Sequence, residues 1–208
     1  GLTVLEVRAL AINPATPATV YAATDGGVYK STNGGGSWVP ANTGLAVLDV
    51  RALAINPATP ATVYAGTYGG GVFVSTDAGE HWGPTNTGLT ALNILALAID
   101  PVTPSFIYAG TFGGGVFKSL DGGGTWGPYS GGFNASAVHA LAIDPKMPTT
   151  VYALTWNSVF KSVDGAGRGP CRLFRLDIES GQLTGTLDLP ARGGHAGGAA
   201  RGATGHLW

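Results

Sequence analysis

Glu6 and Asp49 each stand two residues before an arginine, Arg8 and Arg51, inside copies of one sequence. The same two columns continue as Asn93 with Leu95 and Ala137 with His139. Cleaving a glycosidic bond takes two carboxyl groups, one to protonate the leaving oxygen and one to attack or to activate water. Glu6 and Asp49 occupy equivalent places and are the candidate pair for that chemistry. Acid–arginine pairs also bind hydroxyl and carboxylate groups, and exposed ion pairs of this kind are common where they bind nothing. A second column reads Asp25, Tyr68, Phe112, Trp156. Aromatic rings bring broad apolar faces on which a sugar can stack, though most of them serve packing. His139 and His81 stand apart from any serine or cysteine with an orienting acid, so no catalytic triad is expected.

A third constellation is repeated outright. Ser75–Trp82 reads STDAGEHW and Ser119–Trp126 reads SLDGGGTW. Ser31–Trp38 reads STNGGGSW, with Asn33 in the acid's place, and Ser162–Gly169 keeps Asp164 but ends without tryptophan. One chain needs one active site, whereas a repeat architecture needs many equivalent corners. The acids Asp77, Asp121 and Asp164 could be read as calcium ligands, but calcium takes six to eight oxygens and each copy offers one carboxylate. The expectation is a structural corner, with no metal and no cofactor.

The elements that carry these residues follow from the period. Leu10, Leu53, Leu97 and Leu141 recur at steps of 43, 44 and 44 residues, and VRALAINPATPATVYA occurs letter for letter from Val7 and from Val50. The one-residue slips fall in the glycine loops, where length changes are tolerated. Each unit reads as four short strands rich in Val, Tyr, Phe and Thr: VRALAI, then VYAAT, then GVYKS, then a short strand around the tryptophan. Asn-Pro and Thr-Pro break the first pair, because proline cannot donate to a ladder. No capped 3.6-residue apolar period appears, so almost no helix is expected. Strand one places Val7, Ala9 and Ala11 on one side and Arg8, Leu10 and Ile12 on the other. A sheet apolar on both faces must be covered on both. Four-stranded units of this length, stacked around an axis, make an all-β fold, a β-propeller. The NPATPAT turns and the aspartate corners then share one end of the ring, and the glycine loops and between-blade connections share the other.

Composition narrows the partners. The chain has 208 residues, 11 Lys+Arg against 12 Asp+Glu, 35 glycines and one cysteine. Without a basic stripe, nucleic acid is not an expected partner. No apolar run reaches the ~18 residues of a membrane span, and no signal peptide is visible. A single Cys171 excludes an internal disulfide framework.

The Ser-x-Asp-x-Gly-x-x-Trp copies, in their ALAIDP…VYAGT…GGVFKS setting, resemble the Asp-box of bacterial-neuraminidase-repeat propellers, including sialidase-like, xyloglucanase-type and photosystem assembly factor blades. The resemblance covers about residues 1–165. It implies that Ser31, Asn33 and Trp38, Ser75, Asp77 and Trp82, Ser119, Asp121 and Trp126, and Ser162 with Asp164 form the corner between third and fourth strands. In such a corner the tryptophan would pack toward the next blade. Sialidases need three arginines, a tyrosine nucleophile and an Arg-Ile-Pro signature, and RALAINP at Arg8 is not that signature. The resemblance implies a secreted, periplasmic or cell-surface protein of bacterial type.

Four blades are expected over 1–43, 44–87, 88–131 and 132–165, followed by a divergent tail over 166–208. In that tail Leu173–Pro190 reads as two strands about a turn and ARGATGHLW as the start of another hairpin. A seven-bladed ring would need roughly 308 residues at this repeat length, so the chain reads as part of a larger propeller or as a partial ring that closes by self-association. The leading function is a non-catalytic module binding a glycan or protein on the glycine-loop face, through Asp25, Tyr68, Phe112, Trp156, Arg8, Arg51 and His139. The alternatives are a xyloglucanase-like hydrolase using Glu6 and Asp49, and an assembly factor.

Overall fold

A computed structural model of the chain describes residues 2, 6–129, 137–156, 158–162, 172–176 and 183–188. The first sheet contains β1 (Val7–Ile12), β2 (Val20–Thr24), β3 (Gly27–Ser31) and β4 (Val39–Pro40). The second contains β5 (Val50–Ile55), β6 (Val63–Thr67), β7 (Gly71–Ser75) and β8 (Gly83–Pro84). The third contains β9 (Ile94–Ile99), β10 (Ile107–Thr111), β11 (Val116–Ser119) and β12 (Gly127–Pro128). The fourth contains β13 (Ala140–Ile143), β14 (Val151–Leu154), β15 (Val159–Ser162), β16 (Arg172–Leu176) and β17 (Leu183–Asp188). Neighbours within a sheet follow chain order and pair antiparallel. The described residues contain no helix, so the fold is all-β and built of propeller blades.

Local chemistry fixes each hairpin. The turn between the first two strands is held by an acid or amide: Asn13 Oδ1 accepts the N–H groups of Ala15 and Thr16 at 2.9 and 3.1 Å. Asn56, Asp100 and Asp144 do the same in their blades. These are Asx-turns, and they add a hydrogen-bonded reason to the proline one.

The first strands β1, β5, β9 and β13 lie side by side, so consecutive sheets stack. Three apolar clusters fill the gaps between them. Tyr21, Ala23 and Val28 of the first blade meet Val50, Leu53 and Trp82 of the second, and the second and third repeat the pattern through Tyr64, Val72, Ile94 and Trp126. The first two interfaces are also pinned by directed side-chain bonds. Tyr21 Oη donates to the Ala78 carbonyl at 3.0 Å, and Tyr64 Oη donates to the Gly122 carbonyl at 2.9 Å. Trp82 Nε1 donates to the Ala41 carbonyl and Trp126 Nε1 to the Thr85 carbonyl, both at 2.8 Å.

Three expectations need correction. The tryptophans pack back onto the preceding blade, not toward the next, because their indole donors find carbonyls in the connection that leads into their own blade. In the first three blades the fourth strand is only two residues long and begins after the tryptophan. Strict alternation also fails at Arg8: a bulge interrupts the ladder between Val7 and Ala9, and again between Val50 and Ala52 around Arg51. Bulges re-aim a side chain, and this one matters for the site.

In the tail, β16 pairs with β15 and β17 pairs with β16, so both strands extend the fourth sheet. The last hairpin expected in ARGATGHLW lies outside the described residues.

Candidate functional site

The two ends of the stack differ as expected. At one end the aspartate corners lie against the Asx-turns, with the N–H of Gly34, Ala78 and Gly122 donating to the carbonyls of Ala18, Ala61 and Ser105. At the other end the glycine loops meet the between-blade connections: Tyr68 N–H donates to the Asp49 carbonyl and Phe112 N–H to the Asn93 carbonyl, both at 2.8 Å.

The aspartate corners are internally saturated. Asp121 Oδ1 accepts the Ser119 hydroxyl at 2.7 Å and the Thr125 N–H at 2.8 Å, while Oδ2 accepts the Thr125 hydroxyl at 2.7 Å. Asp77 repeats this with Ser75 and His81, whose ring Nδ1 lies 2.8 Å from Oδ2. Asn33 keeps the geometry through its amide oxygen, which accepts from Ser31 Oγ and from the Ser37 N–H. Ser31, Ser75 and Ser119 are buried and each accept the N–H four residues on. Ser162 is buried and accepts from Tyr129 Oη at 2.9 Å, while Asp164 lies outside the described residues. Every carboxylate oxygen here is spent on the chain itself, as a corner brace requires.

Hydrogen bonding to the charged form lowers a carboxyl pKa. The Thr125 N–H, then the Thr125 and Ser119 hydroxyls, hold Asp121 down at about 2. The His81 N–H, then its ring and the Ser75 hydroxyl, hold Asp77 well below the usual carboxylate range. A depressed folded-state pKa stabilises the fold fully above the unfolded value, 3.8, and that contribution is lost as pH falls toward the folded one. The thermal midpoint should therefore be flat above about pH 5 and decline below pH 4. Asp121→Asn, the amide that Asn33 already uses, should shrink the acid slope, with a modest amplitude because the corner is exposed. An unchanged slope in Asp121→Asn would show that acid lability originates elsewhere.

The opposite end carries the pocket. Glu6, Val7, Arg8, Arg51, Leu95 and His139 line an open cavity of about 290 Å³, with a residue from each of the four blades. The bulges explain this convergence: Arg8 and Arg51 drop out of ladder pairing, and in the third blade the register shifts opposite Leu95. An ion-pair chain crosses from the first blade to the second. Arg8 Nη2 lies 2.7 Å from Glu6 Oε2, and Arg8 Nε lies 3.5 Å from Asp49 Oδ1. Arg51 donates to both oxygens of Asp49 at 2.7 Å. That bidentate bond, with the charge of Asp49 behind it, raises the Arg51 pKa further, against the lowering effect of burial.

Glycine-loop aromatics rim this cavity side. Tyr68 forms a bridge with Asn93 and Phe112 one with Ala137, so the two sequence columns, read separately, meet in space. Tyr68, Phe112 and Trp156 are 39%, 47% and 73% exposed. The Tyr68 and Phe112 rings are 6.5 Å apart. Arg51 stacks over Tyr68 at 4.9 Å, and Trp156 meets His139 edge-on at 4.2 Å. His139 Nε2 is buried and has no hydrogen-bond partner among the described residues. Asp25 stays at the exposed rim and accepts the Glu6 N–H at 3.1 Å. Val7 and Leu95 were not singled out from sequence as site residues, and their register with Arg8 was the available signal. Asn42 and Asn86 were missed too. Each accepts an N–H from the third strand and donates to a glycine-loop carbonyl, tying loop to connection. The recurring Asn-Thr-Gly-Leu at 42–45 and 86–89 was the mark they left.

No protein-family model matches the chain, and no curated protein matches it. Solved structures do. An ancestral GH74 enzyme is similar over 80% of this chain at 26% identity and a TM-score of 0.64, covering 25% of its own length. The GH74 enzyme of Niastella koreensis is similar over 88% at 22% identity and a TM-score of 0.63, covering 37% of its length. The extracellular domain of a proposed hybrid two component system from B. thetaiotaomicron is similar over 88% at 17% identity and a TM-score of 0.68, covering 24% of its length. The blades are of propeller type. The chain thus spans between 24% and 37% of these relatives. Among the described residues, no helix is long and apolar enough to cross a membrane.

Proposed function

We propose that the chain is a non-catalytic propeller module that binds a glycan on the glycine-loop face, outside the cell. The observation that carries this reading is the row of three exposed rings, Tyr68, Phe112 and Trp156, at equivalent positions beside a polar pocket. Large exposed aromatics otherwise seek cover, and a sugar offers an apolar ring face to each with hydroxyls for the acid–arginine chain. The likeness to GH74 enzymes and to a bacterial extracellular domain supports both the ligand class and the location.

The carboxylates are disposed for holding rather than for cleaving. Both oxygens of Asp49 accept from Arg51, and Glu6 is engaged by Arg8. A glycosidase needs one carboxyl that delivers a proton. The likeness to GH74 enzymes keeps hydrolysis as the second reading, and a Glu6→Gln/Asp49→Asn variant that loses glycan cleavage would establish it.

The binding test is calorimetric titration with a panel of neutral β-glucan oligosaccharides. The Tyr68→Ala/Phe112→Ala/Trp156→Ala variant should lose at least ten-fold in affinity, since each stacked ring contributes on the order of 1 kcal/mol, while its circular dichroism stays unchanged. Equal affinity in the variant would remove the aromatic row from the site.

A further inference from the structure

Asn33 is the only asparagine in the chain that a glycine follows. An asparagine amide is lost when the next backbone nitrogen, deprotonated, attacks its Cγ. Glycine obstructs that attack least, because it has no Cβ and its backbone moves freely. Asn33 stands at the acid position of the first corner, where the second and third corners hold Asp77 and Asp121. That position is exposed in all three corners, those of the two inner blades included, so its access to water does not depend on what adjoins the first blade. The first corner already has the shape of the acid form. Asn33 Oδ1 accepts the Ser31 hydroxyl at 2.9 Å and the Ser37 N–H at 2.8 Å, as Asp121 Oδ1 accepts those of Ser119 and Thr125. Asn33 Nδ2 donates to Ser37 Oγ at 3.0 Å, where Asp121 Oδ2 accepts the Thr125 hydroxyl. A Cβ on Gly36 would stand 3.2 Å from Asn33 Nδ2, and one on Gly124 would stand 3.1 Å from Asp121 Oδ2, so the same space receives either tip. Exchanging the amide for a carboxylate asks only that the Ser37 hydroxyl turn from acceptor to donor.

We propose that Asn33 is a spontaneous modification site, and that its deamidation converts the first corner to the acid form carried by Asp77 and Asp121. The Gly34 nitrogen gives its proton to hydroxide and bonds to Asn33 Cγ. The Cγ–Nδ2 bond breaks, and ammonia leaves with a proton from water. Water then opens the five-membered imide. Added across the Cγ–nitrogen bond it gives aspartate; added across the main-chain carbonyl–nitrogen bond it gives isoaspartate, which routes the chain through the side-chain carbon. The fold sets the pace of the reaction and decides which product it can hold. Gly34 N–H is donated to the Ala18 carbonyl at 2.8 Å, so the nucleophile keeps its proton while the corner is closed. Deamidation therefore runs through local opening. Aspartate lets the corner reclose on the bonds its sister corners make. Isoaspartate lengthens the main chain by one carbon between Ser31 and Gly35, whose N–H must return to Ser31 Oγ at 2.9 Å, and the corner does not reclose.

The test incubates the 208-residue chain at mildly alkaline pH, both folded and in guanidinium. Intact mass and peptide mapping that separates aspartyl from isoaspartyl products follow the reaction. In guanidinium, Asn33 should be the first amide lost, and its loss takes the formal net charge from −1 to −2. In buffer the loss should be slower by about ten-fold or more, because it waits on opening. Gly34→Ala tests the nucleophile. Ala78 holds the same corner position at a φ of 59°, so alanine is compatible with the corner, and in guanidinium it should slow the loss several-fold. Asn33→Asp makes the product directly and should keep the wild-type thermal midpoint at neutral pH, whereas chains enriched in isoaspartate should melt lower. Loss at another asparagine ahead of Asn33 overturns the proposal, as does a rate that Gly34→Ala leaves unchanged. Equal rates in buffer and in guanidinium overturn the control by the fold. An Asn33→Asp chain with a lowered midpoint overturns the conversion to a working acid corner.

Discussion

Trp82→Ala is expected to destabilise the fold by about 3–5 kcal/mol, the range for deleting a large buried aromatic side chain. Trp82 is 5% exposed and sits in the cluster that joins the first two blades. Its loss leaves a cavity between two stacked sheets whose backbones cannot close on it, because Tyr21 and Lys30 are tied to the corner at Ala78 from the other side. The indole also supplies the hydrogen bond to the Ala41 carbonyl, and that acceptor would be stranded. Trp82→Phe separates the two contributions: it keeps most of the ring volume and loses the donor, so a cost of about 1–2 kcal/mol is expected. Urea denaturation followed by circular dichroism measures both. A cost for Trp82→Ala under about 1 kcal/mol would mean that the blades are held by their strand contacts and that the tryptophan is only a cover.

The fold was open to reading in the sequence because its information is redundant. Four copies of one strand pattern average away the ambiguity of any single copy, and loop slips separate strands from turns. The aspartate corner was open for the same reason, since three copies show which positions accept change: Asn33 for Asp, and His81 where Thr125 stands. What stayed hidden depends on contacts between repeats. The tryptophan's direction could not be read, because the motif fixes where the indole starts and not which carbonyl lies within reach. The bulges at Arg8 and Arg51 were hidden because VRALAI alternates on paper, whereas the ladder skips a residue beside the pocket. That skip, repeated opposite Leu95, brings Arg8, Arg51 and Leu95 to one cavity, which His139 of the fourth blade also lines. The columns were visible, but their meeting with Tyr68 and Phe112 needed the bridges from the glycine loop to the next connection.

The connections themselves carry the other large effect. Gly88→Ala is expected to cost about 3 kcal/mol or more, although Gly88 lies in a surface connection and belongs to no motif of the corner. Two independent conflicts add there. Its φ is +84°, where a Cβ costs roughly 1–2 kcal/mol. A Cβ would also stand 2.2 Å from the Trp126 carbonyl oxygen, a backbone atom that cannot swing aside. The connection would have to move, and Thr87, whose carbonyl accepts the Trp126 N–H at 2.8 Å, would move with it. Gly44 repeats this arrangement against Trp82, so the same cost is expected for Gly44→Ala. Gly127→Ala is the matched control. Nothing lies within 4 Å of a Cβ there and its φ is not left-handed, so the change should fall within about 0.5 kcal/mol of neutral or slightly stabilise the chain. Denaturation midpoints of the three variants decide the matter. If Gly88→Ala matches Gly127→Ala, the connection yields freely and the seam between blades is set by side chains alone. If Gly88→Ala and Gly44→Ala fall together, the close approach of connection to tryptophan backbone sets the spacing of successive blades, and with it the width of the pocket they enclose.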